Sequence, residues 1–235
     1  MFTASAELYD IIYGSFKDYA AESDRIAALL RSEHPGCRTL LDVGCGTGEH
    51  ARLLVERGFA VDGLDLDANL LRVARRKAPG CRFFEADMCD FALASRYDAV
   101  LCLFSSIGYA GTLERAARAL TCFRRHLAPG GLVVVEPWFA PDAVTPGRTD
   151  SRTVDAPPLR IVRTSRLDAV GRTTRLTFSY EVTGPEGTRH ATETHELALF
   201  TVEEMHQAFN AAGLAVRHDP VGLTGRGLYL ARVAT

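Results

Sequence analysis

The sequence predicts an α/β fold built on a doubly wound, mostly parallel sheet. Strand-like and helix-like segments alternate from residue 39 to residue 136, which is the pattern of repeated βα units. Several strand-like segments are almost continuously apolar, as expected for strands covered on both faces. The length of 235 residues suits one such domain with an insertion better than two equal domains.

The elements of the main sheet follow in order along the chain. An amphipathic helix is predicted over residues 20–31, because its apolar residues recur at helical spacing up to the Pro35-Gly36 break. Apolar runs then predict strands, and segments with apolar residues every three or four positions predict helices between them. The strands are 39–43, 60–65, 82–85, 97–103 and 132–136, and the helices are 49–57, 68–77 and 113–127, the last closed by residues 129–131.

The pattern changes between residues 140 and 200. A proline-rich stretch precedes strand-like segments near 160–167, 172–182 and 190–200, with turns at Gly171 and at residues 184–187, which predicts an inserted antiparallel meander. Thr201 is then expected to cap a helix over 202–212, and strands 214–218 and 227–233 to complete the main sheet. We therefore divide the chain into an N-terminal cap with the α/β core (1–139), the inserted meander (140–200) and the elements that complete the core (201–235).

The charge balance argues against a nucleic-acid partner. The sequence holds 27 Lys and Arg against 29 Asp and Glu, so it lacks the basic excess that neutralises phosphates in nucleic-acid binders. Only Lys17 and Lys77 are lysines. Because arginine is so common here, a single arginine needs further support before it is read as a ligand.

Cysteine spacing and hydropathy exclude further classes. The six cysteines show neither Cys-x-x-Cys spacing nor neighbouring histidine pairs, so we expect reduced thiols and no metal site. The N-terminus lacks a basic cluster followed by an apolar stretch, and no apolar run reaches the roughly 20 residues of a membrane span. We therefore expect a cytoplasmic protein with no membrane partner; a homodimer is compatible with the sequence.

A glycine-rich turn follows the first strand of the predicted sheet. Gly44, Gly46 and Gly48 alternate between an aspartate-bearing apolar strand and a helix. Glycines let the backbone approach a ligand closely, and the helix start offers free N–H groups, so a nucleotide-like ligand is predicted. A dinucleotide loop would require glycine where Glu49 stands, and no phosphate-binding lysine follows, so neither a dinucleotide loop nor a P-loop fits.

Two more strand ends carry carboxylates. Asp65 ends the second strand roughly 20 residues beyond the glycines, where it is expected to accept hydrogen bonds from both hydroxyls of a ribose. Asp67 lies just past that strand and is expected to cap the next helix. The third strand leads into Asp87 and Met88, which would face the same edge of the sheet.

These segments carry a family resemblance. The Gly-x-Gly-x-Gly spacing resembles motif I of the class I S-adenosylmethionine-dependent methyltransferases, whose sheet is Rossmann-like. The Ser-Ser-Ile-Gly, Glu-Pro-Trp and Gly-Arg-Gly sequences narrow the resemblance to the N,N-dimethyltransferases of TDP-linked amino sugars in desosamine and mycaminose pathways. The resemblance spans essentially the whole chain and rests on residues 7–10, 17–20, 87–88, 90–91, 104–109, 135–139 and 225–228.

The resemblance implies a cofactor, an acceptor and the residues that bind each. The cofactor would be S-adenosylmethionine and the acceptor a TDP-amino sugar. Independently, the meander is expected to build the acceptor pocket, because it interrupts the α/β pattern at the carboxyl edge of a strand, where such sheets bind ligands. Tyr109 would lie beside the acceptor amine, orienting it and relaying its proton, since a neutral amine needs no strong base. Carried over by position, the cofactor-binding residues are Tyr9, Tyr19, Gly44, Cys45, Gly46, Gly48, Asp65, Leu66, Asp87, Met88 and Phe104, and the residues holding the nucleotide sugar are Trp138, Ser165 and Arg226.

Other functions stay open on the sequence alone. An N- or O-methyltransferase of another small metabolite would share every cofactor residue and differ only in the meander. A nucleic-acid amino-methyltransferase would carry Asp or Asn, two prolines and an aromatic residue after the fourth strand, where this chain has Leu103 to Ser106. A non-catalytic cofactor-binding protein is disfavoured by the intact glycine turn. Arg148 stands where the resemblance predicts an aromatic or apolar residue, so the acceptor is less defined than the reaction.

Overall fold

The computed structural model describes residues 6–234, which form two sheets and six α-helices. The helices are α1 (Tyr9–Gly14), α2 (Tyr19–Glu33), α3 (Glu49–Glu56), α4 (Ala68–Lys77), α5 (Leu113–Arg125) and α6 (Val202–Ala211). The strands are β1 (Thr39–Val43), β2 (Ala60–Asp65), β3 (Arg82–Glu85), β4 (Tyr97–Cys102), β5 (Leu127–Val135), β6 (Arg148–Ala156), β7 (Leu159–Val170), β8 (Thr173–Gly184), β9 (Gly187–Ala198), β10 (Leu214–Asp219) and β11 (Leu228–Val233). Short 3-10 helices span Ser106–Ala110 and Pro141–Ala143.

The larger sheet has the predicted doubly wound form. Its strand order is β10-β11-β5-β4-β1-β2-β3, and β1 to β5 are parallel. Only β11 breaks this pattern, running antiparallel to β5 and β10. The order reverses between β1 and β4, and in such sheets the carboxyl ends of the strands at that point form a ligand crevice.

Helices cover both faces of this sheet. One apolar cluster joins α5 and α6 to the sheet through residues such as Phe123 and Phe209, and the other joins α2, α3 and α4 through Leu30, Leu54 and Leu71. Because each central strand is buried on both sides, its sequence is apolar at successive positions and not at alternate ones. The prediction of a two-faced parallel sheet is therefore confirmed.

Two predicted helix caps are confirmed by their hydrogen bonds. The Asp67 side chain accepts from the backbone N of Asn69 at 2.9 Å, which starts α4. Thr201 and Glu204 form a capping box at the start of α6. Each cap satisfies helix N–H groups that have no partner within the helix.

The prediction for the end of α5 was wrong by two residues. The helix ends at Arg125, and β5 already begins at Leu127, so residues 129–131 lie within the bounds of the strand and do not close the helix. The buried ring of His126 explains the early end. Its Nδ1 donates to the Cys122 carbonyl at 2.7 Å while its Nε2 accepts from Leu93 N at 2.8 Å, and Tyr97 N donates to the His126 carbonyl.

The insertion forms a separate antiparallel sheet of four strands, in the order β6-β7-β8-β9. The sequence predicted three of them and missed β6. That strand is polar at almost every position, and only Val154 is buried, so it lacks the apolar pattern of a strand and is defined by its pairing with β7. Helix α1 was also missed because its six residues are too few to show helical periodicity.

Among residues 6–234, no helix has both the length and the apolar character needed to cross a bilayer. The same residues contain no cluster of three His, Cys, Asp or Glu side chains arranged to hold a metal ion.

Candidate active site

A cavity of about 530 Å³ lies at the carboxyl ends of the parallel strands. One side is formed by the glycine turn after β1 and the residues that follow β2, β3 and β4, and the other by one face of the insertion sheet. Aromatic residues of α1 and α2 close the cavity from the N-terminal side. Its size is within the range of sites for small molecules and cofactors.

The glycine turn has the backbone that its sequence predicts. Gly44 and Gly48 have positive φ angles of 72° and 73°, a region that favours glycine. A Cβ at Gly44 would lie 2.6 Å from Ser106 Oγ, so the turn also needs glycine for space. Gly48 is the N-cap of α3 and offers no side-chain cap to the helix N–H groups. Gly44, Cys45 and Gly46 line the cavity, whereas Gly48, also predicted to bind the cofactor, is not among its lining residues.

Asp65 connects the end of β2 to the glycine turn. Its Oδ2 accepts from Gly46 N at 2.8 Å and its Oδ1 accepts from Asp67 N at 2.9 Å. Burial raises the pKa of Asp65, and these backbone N–H groups act in the opposite direction. Each carboxylate oxygen keeps a second lone pair for a ligand. Asp65 and Leu66 both line the cavity, where the sequence placed the ribose.

Asp87 is already held by protein groups. Its Oδ1 accepts from Cys89 N and its Oδ2 from Arg115 Nη2, both at 2.8 Å. Although burial acts to raise the pKa of Asp87, these two partners keep it below its usual value. Asp87 and Met88 line the cavity, and the hydrogen bond from Cys89 N makes Asp87 part of a turn.

The N-terminal tyrosines form an aromatic wall. The rings of Tyr9 and Tyr13 lie 4.4 Å apart, and Tyr13 meets the ring of Phe104 edge-on at 5.5 Å. Helix α1 is attached to the glycine turn because Thr47 Oγ1 donates to Asp10 Oδ1 at 2.6 Å. Tyr9 and Tyr19 both line the cavity.

The segment after β4 has a strained backbone at the centre of the site. Phe104 and Ser105 have φ angles of 50° and 69° without being glycine. Phe104 N donates to Glu136 Oε2 at 2.7 Å, and Ser105 Oγ donates to the Pro137 carbonyl at 3.0 Å. Such strain persists only where surrounding contacts fix it, and it often occurs at functional sites.

Tyr109 contacts the insertion sheet. Its hydroxyl lies 3.0 Å from Nδ1 of His195, a buried residue of β9. Burial raises the pKa of Tyr109 above its usual value, so the phenol stays protonated at neutral pH. Where Nδ1 is unprotonated, the hydroxyl donates to it and its oxygen can accept a hydrogen bond from a ligand.

Trp138 and Ser165 reach the cavity from two directions. Trp138 Nε1 donates to Thr174 Oγ1 at 2.9 Å, and Thr174 Oγ1 in turn donates to the Leu197 carbonyl at 3.0 Å. The indole N–H is therefore used to attach the tryptophan to the insertion sheet, and the ring forms cavity wall. Ser165 Oγ makes a long contact of 3.4 Å with the Asp150 carbonyl.

Arg226 has a protein counter-charge that the sequence did not reveal. Its Nη2 lies 3.1 Å from Oε1 of Glu136, whose side chain is fully buried, and Thr224 Oγ1 donates to the same oxygen at 2.5 Å. The guanidinium also lies 5.5 Å from the Phe104 ring centre. Arg226 lines the cavity, but part of its charge is balanced by Glu136.

The sequence analysis missed several cavity residues, of which Asp42 is the most informative. It lies on β1 with 2% of its surface exposed, and its Oδ2 has no hydrogen-bond partner in the described part of the chain. Burial raises its pKa to about 6, although His50 acts to lower it. A carboxylate inside an apolar strand beside a glycine turn was the available signal. Glu136 follows the last residue of β5 and holds the cavity residue Arg226. His195 and Arg163, which line the cavity, carry no signal in the local sequence.

The unpartnered oxygen of Asp42 indicates which part of S-adenosylmethionine the site could bind. A buried carboxylate without a partner favours a cationic ligand group, such as the ammonium of the methionine part. Asp65 supplies acceptors for a ribose, and the apolar and aromatic surfaces suit an adenosine. The residues present therefore fit this cofactor.

Comparison with known proteins identifies the family. Residues 40–131 match the methyltransferase domain family. The chain is 44% identical over 226 residues, 95% of its length and 89% of the relative's, to the dTDP-3-amino-3,6-dideoxy-alpha-D-glucopyranose N,N-dimethyltransferase of Streptomyces fradiae.

Solved structures superpose on this chain over nearly its full length. DesVI of Streptomyces venezuelae superposes with a TM-score of 0.92 at 39% identity, covering 98% of both chains. An amino pentose methyltransferase of Micromonospora echinaspora with bound S-adenosylmethionine superposes with a TM-score of 0.88 at 36% identity, covering 97% of both. The chain therefore belongs to the class I S-adenosylmethionine-dependent methyltransferases, in the family that contains the dTDP-amino-sugar N,N-dimethyltransferases.

Proposed function

We propose that this enzyme dimethylates the amine of a TDP-linked deoxy amino sugar in the biosynthesis of an antibiotic or similar natural product. The proposal rests on how much of the chain is similar in sequence to an amino-sugar N,N-dimethyltransferase. The 44% identity covers 95% of the chain and so includes the insertion sheet, whereas the methyltransferase domain match ends at residue 131. The insertion forms the second wall of the cavity, where the acceptor would lie.

The cofactor side would hold S-adenosylmethionine, which supplies an electrophilic methyl group when bound. Asp42 would bind its ammonium, and Asp65 its ribose hydroxyls, while Asp87 and Met88 would border the adenine. Tyr9 and Tyr19 would cover the bound cofactor and exclude water. All six residues line the cavity.

The acceptor side would orient the amine. Tyr109, hydrogen bonded to His195, would accept an N–H from the acceptor, so that the nitrogen lone pair is directed at the methyl group. Methyl transfer to a neutral amine is an in-line displacement, and alignment of the reacting atoms supplies much of the rate. The proton can then leave through water. Trp138, Ser165 and Arg226 would border the nucleotide sugar, and cytoplasmic location and dimerisation stay predictions from the sequence.

Mass spectrometry after incubation with S-adenosylmethionine and a panel of TDP-amino sugars tests this function. We expect products heavier by one and then by two methyl groups. The same sugars without the nucleotide serve as controls and should react poorly. Equal methylation of nucleotide-free amines or of other small metabolites would contradict the proposal and favour a different small-molecule acceptor.

A further inference from the structure

Two arginines lie opposite each other on the cavity face of the insertion sheet. Arg152 on β6 and Arg163 on β7 are direct cross-strand partners, and both line the cavity. Like charges placed directly opposite on two strands destabilise a sheet. The pair is therefore expected to have a counter-charge, supplied either by the protein or by a ligand.

Within residues 6–234, only Arg152 of the two forms an ion pair with a carboxylate. Arg152 Nε donates to Asp150 Oδ2 at 3.0 Å, and its side chain is 43% exposed. Arg163 has 6% of its surface exposed, and no carboxylate of residues 6–234 forms an ion pair with it. Its Nε and Nη1 have no hydrogen-bond partner in the same part of the chain. A buried guanidinium with unsatisfied N–H groups is costly unless a ligand completes it.

Aromatic rings surround the guanidinium of Arg163. The guanidinium carbon lies 5.2 Å from the Tyr13 ring centre, 5.3 Å from that of Phe16 and 4.9 Å from that of Phe178. It also interacts with the Tyr13 hydroxyl. Ser165 lies two residues along β7 and therefore on the same face, so its hydroxyl adds a donor beside the guanidinium. Planar guanidinium N–H groups next to a hydroxyl suit phosphate oxygens.

The strand register also places Arg163 at a suitable distance from the reaction centre. Leu167 on β7 is aligned through Leu176 with His195, the partner of Tyr109. Arg163 lies four residues from Leu167 on the same strand. At roughly 3.3 Å per residue, about 13 Å along the strand separates Arg163 from the level of His195. Side chains extend into this interval from both ends. The interval can hold a hexose whose amine meets Tyr109 and whose anomeric phosphate meets Arg163.

We propose that Arg163, assisted by Arg152 and Ser165, is the principal binding residue for the diphosphate of the nucleotide-linked acceptor. This inference rests on the proposed function, because it requires an acceptor that carries a diphosphate. The Nε of Arg226 also has no hydrogen-bond partner among residues 6–234, but Arg226 then has a smaller share in binding that group, since Glu136 already balances part of its charge. Its main contribution is to hold Glu136, which fixes the backbone at Phe104.

Calorimetric titration with TDP and with thymidine tests the inference, using protein saturated with S-adenosylhomocysteine. Arg163→Gln should weaken TDP binding about 10- to 100-fold, the range for hydrogen bonds to a charged group, and leave thymidine binding unchanged. Arg226→Gln should weaken TDP binding less. Arg160→Gln is the matched control, because Arg160 lies on the same strand, pairs with Asp155 and is exposed and outside the cavity.

The outcomes separate this inference from the function on which it rests. Wild-type-like TDP affinity in Arg163→Gln, or an equal loss of TDP and thymidine affinity, would overturn the role of Arg163 alone. If the wild type binds no TDP and methylates nucleotide-free amino sugars, the proposed acceptor is wrong as well. If Arg163→Gln does not fold, judged by S-adenosylhomocysteine binding, Arg163→Lys keeps the charge and should still lose TDP affinity several-fold because the planar fork is gone.

Discussion

The cofactor side and the acceptor side of the cavity are built in different ways. The cofactor side consists largely of backbone, with glycines at positive φ and a carboxylate that accepts from the Gly46 N–H. The acceptor side consists of side chains that project from one face of a four-stranded sheet, such as Arg163, Ser165 and His195. A cofactor site built of backbone turns can stay the same whichever acceptor is methylated. Side chains on an inserted sheet can be replaced to suit a different acceptor. Variants should therefore affect the two sides separately.

Replacing Asp65 should produce the largest effect, and only on the cofactor side. Asp65→Ala removes the proposed ribose acceptor and the Oδ2 that holds Gly46 N. S-adenosylmethionine affinity should fall by about 1.5 to 3 kcal/mol, as for a hydrogen bond to a charged group. Calorimetry measures this, with the exposed Asp155→Ala as control. TDP affinity should stay near the wild-type value, and a parallel loss of both would contradict the separation of the two sides.

Replacing Asp42 with asparagine should raise the stability of the protein and weaken cofactor binding. Its folded-state pKa of about 6 lies above the unfolded value of about 3.9, so the folded protein is destabilised as pH rises from about 4 through 6. Asp42→Asn removes this cost, and the cofactor-free variant should gain about 1 to 3 kcal/mol of stability at pH 7.5, where one pKa unit is about 1.4 kcal/mol.

Cofactor binding should depend on pH in the other direction. In the wild type, S-adenosylmethionine affinity should fall as the pH drops below about 6, because protonation removes the charge that attracts the ammonium. Asp42→Asn should bind weakly at every pH. Thermal melts and calorimetry from pH 5 to 8 measure both effects, and a variant with unchanged affinity would place the ammonium elsewhere.

Loosening the attachment of Trp138 should affect the acceptor side alone. Thr174→Val removes the acceptor of the indole N–H and the donor to the Leu197 carbonyl, both in a buried setting. Unsatisfied buried groups of this kind cost about 1 to 2 kcal/mol of stability. The KM for the sugar should rise several-fold in steady-state assays with unchanged S-adenosylmethionine affinity. Loss of cofactor affinity as well would show that the insertion supports folding of the whole site.

Removing the Tyr109 hydroxyl should have a small effect, and on the rate of methyl transfer alone. Tyr109→Phe breaks the contact with His195 but keeps the ring, so kcat should fall by about tenfold or less, equivalent to 0.5 to 1.5 kcal/mol. The KM for the cofactor should not change. A loss of a thousandfold or more in kcat would contradict an orienting role and indicate obligatory proton transfer through the hydroxyl.

The amino-acid sequence by itself determined the features that depend on residues close together in the chain. The glycine turn, the strand ending at Asp65, the Asp67 cap and the Thr201 capping box each depend on residues a few positions apart, and all were predicted. Buried parallel strands were also predictable, because burial on both faces requires continuous apolar sequence. The polar edge strand β6 was not, because only its partner β7 makes it a strand.

Only the tertiary structure decided which distant side chains meet. Glu136 and Arg226 are 90 positions apart, Tyr109 and His195 are 86 apart, and the pairing of Arg152 with Arg163 depends on the β6–β7 register. A shift of one residue in that register would turn the arginines to opposite faces of the sheet. Backbone conformation is determined by short-range sterics, which a local sequence encodes. Charge pairing in the cavity depends on how separate segments pack, and local sequence does not encode that packing.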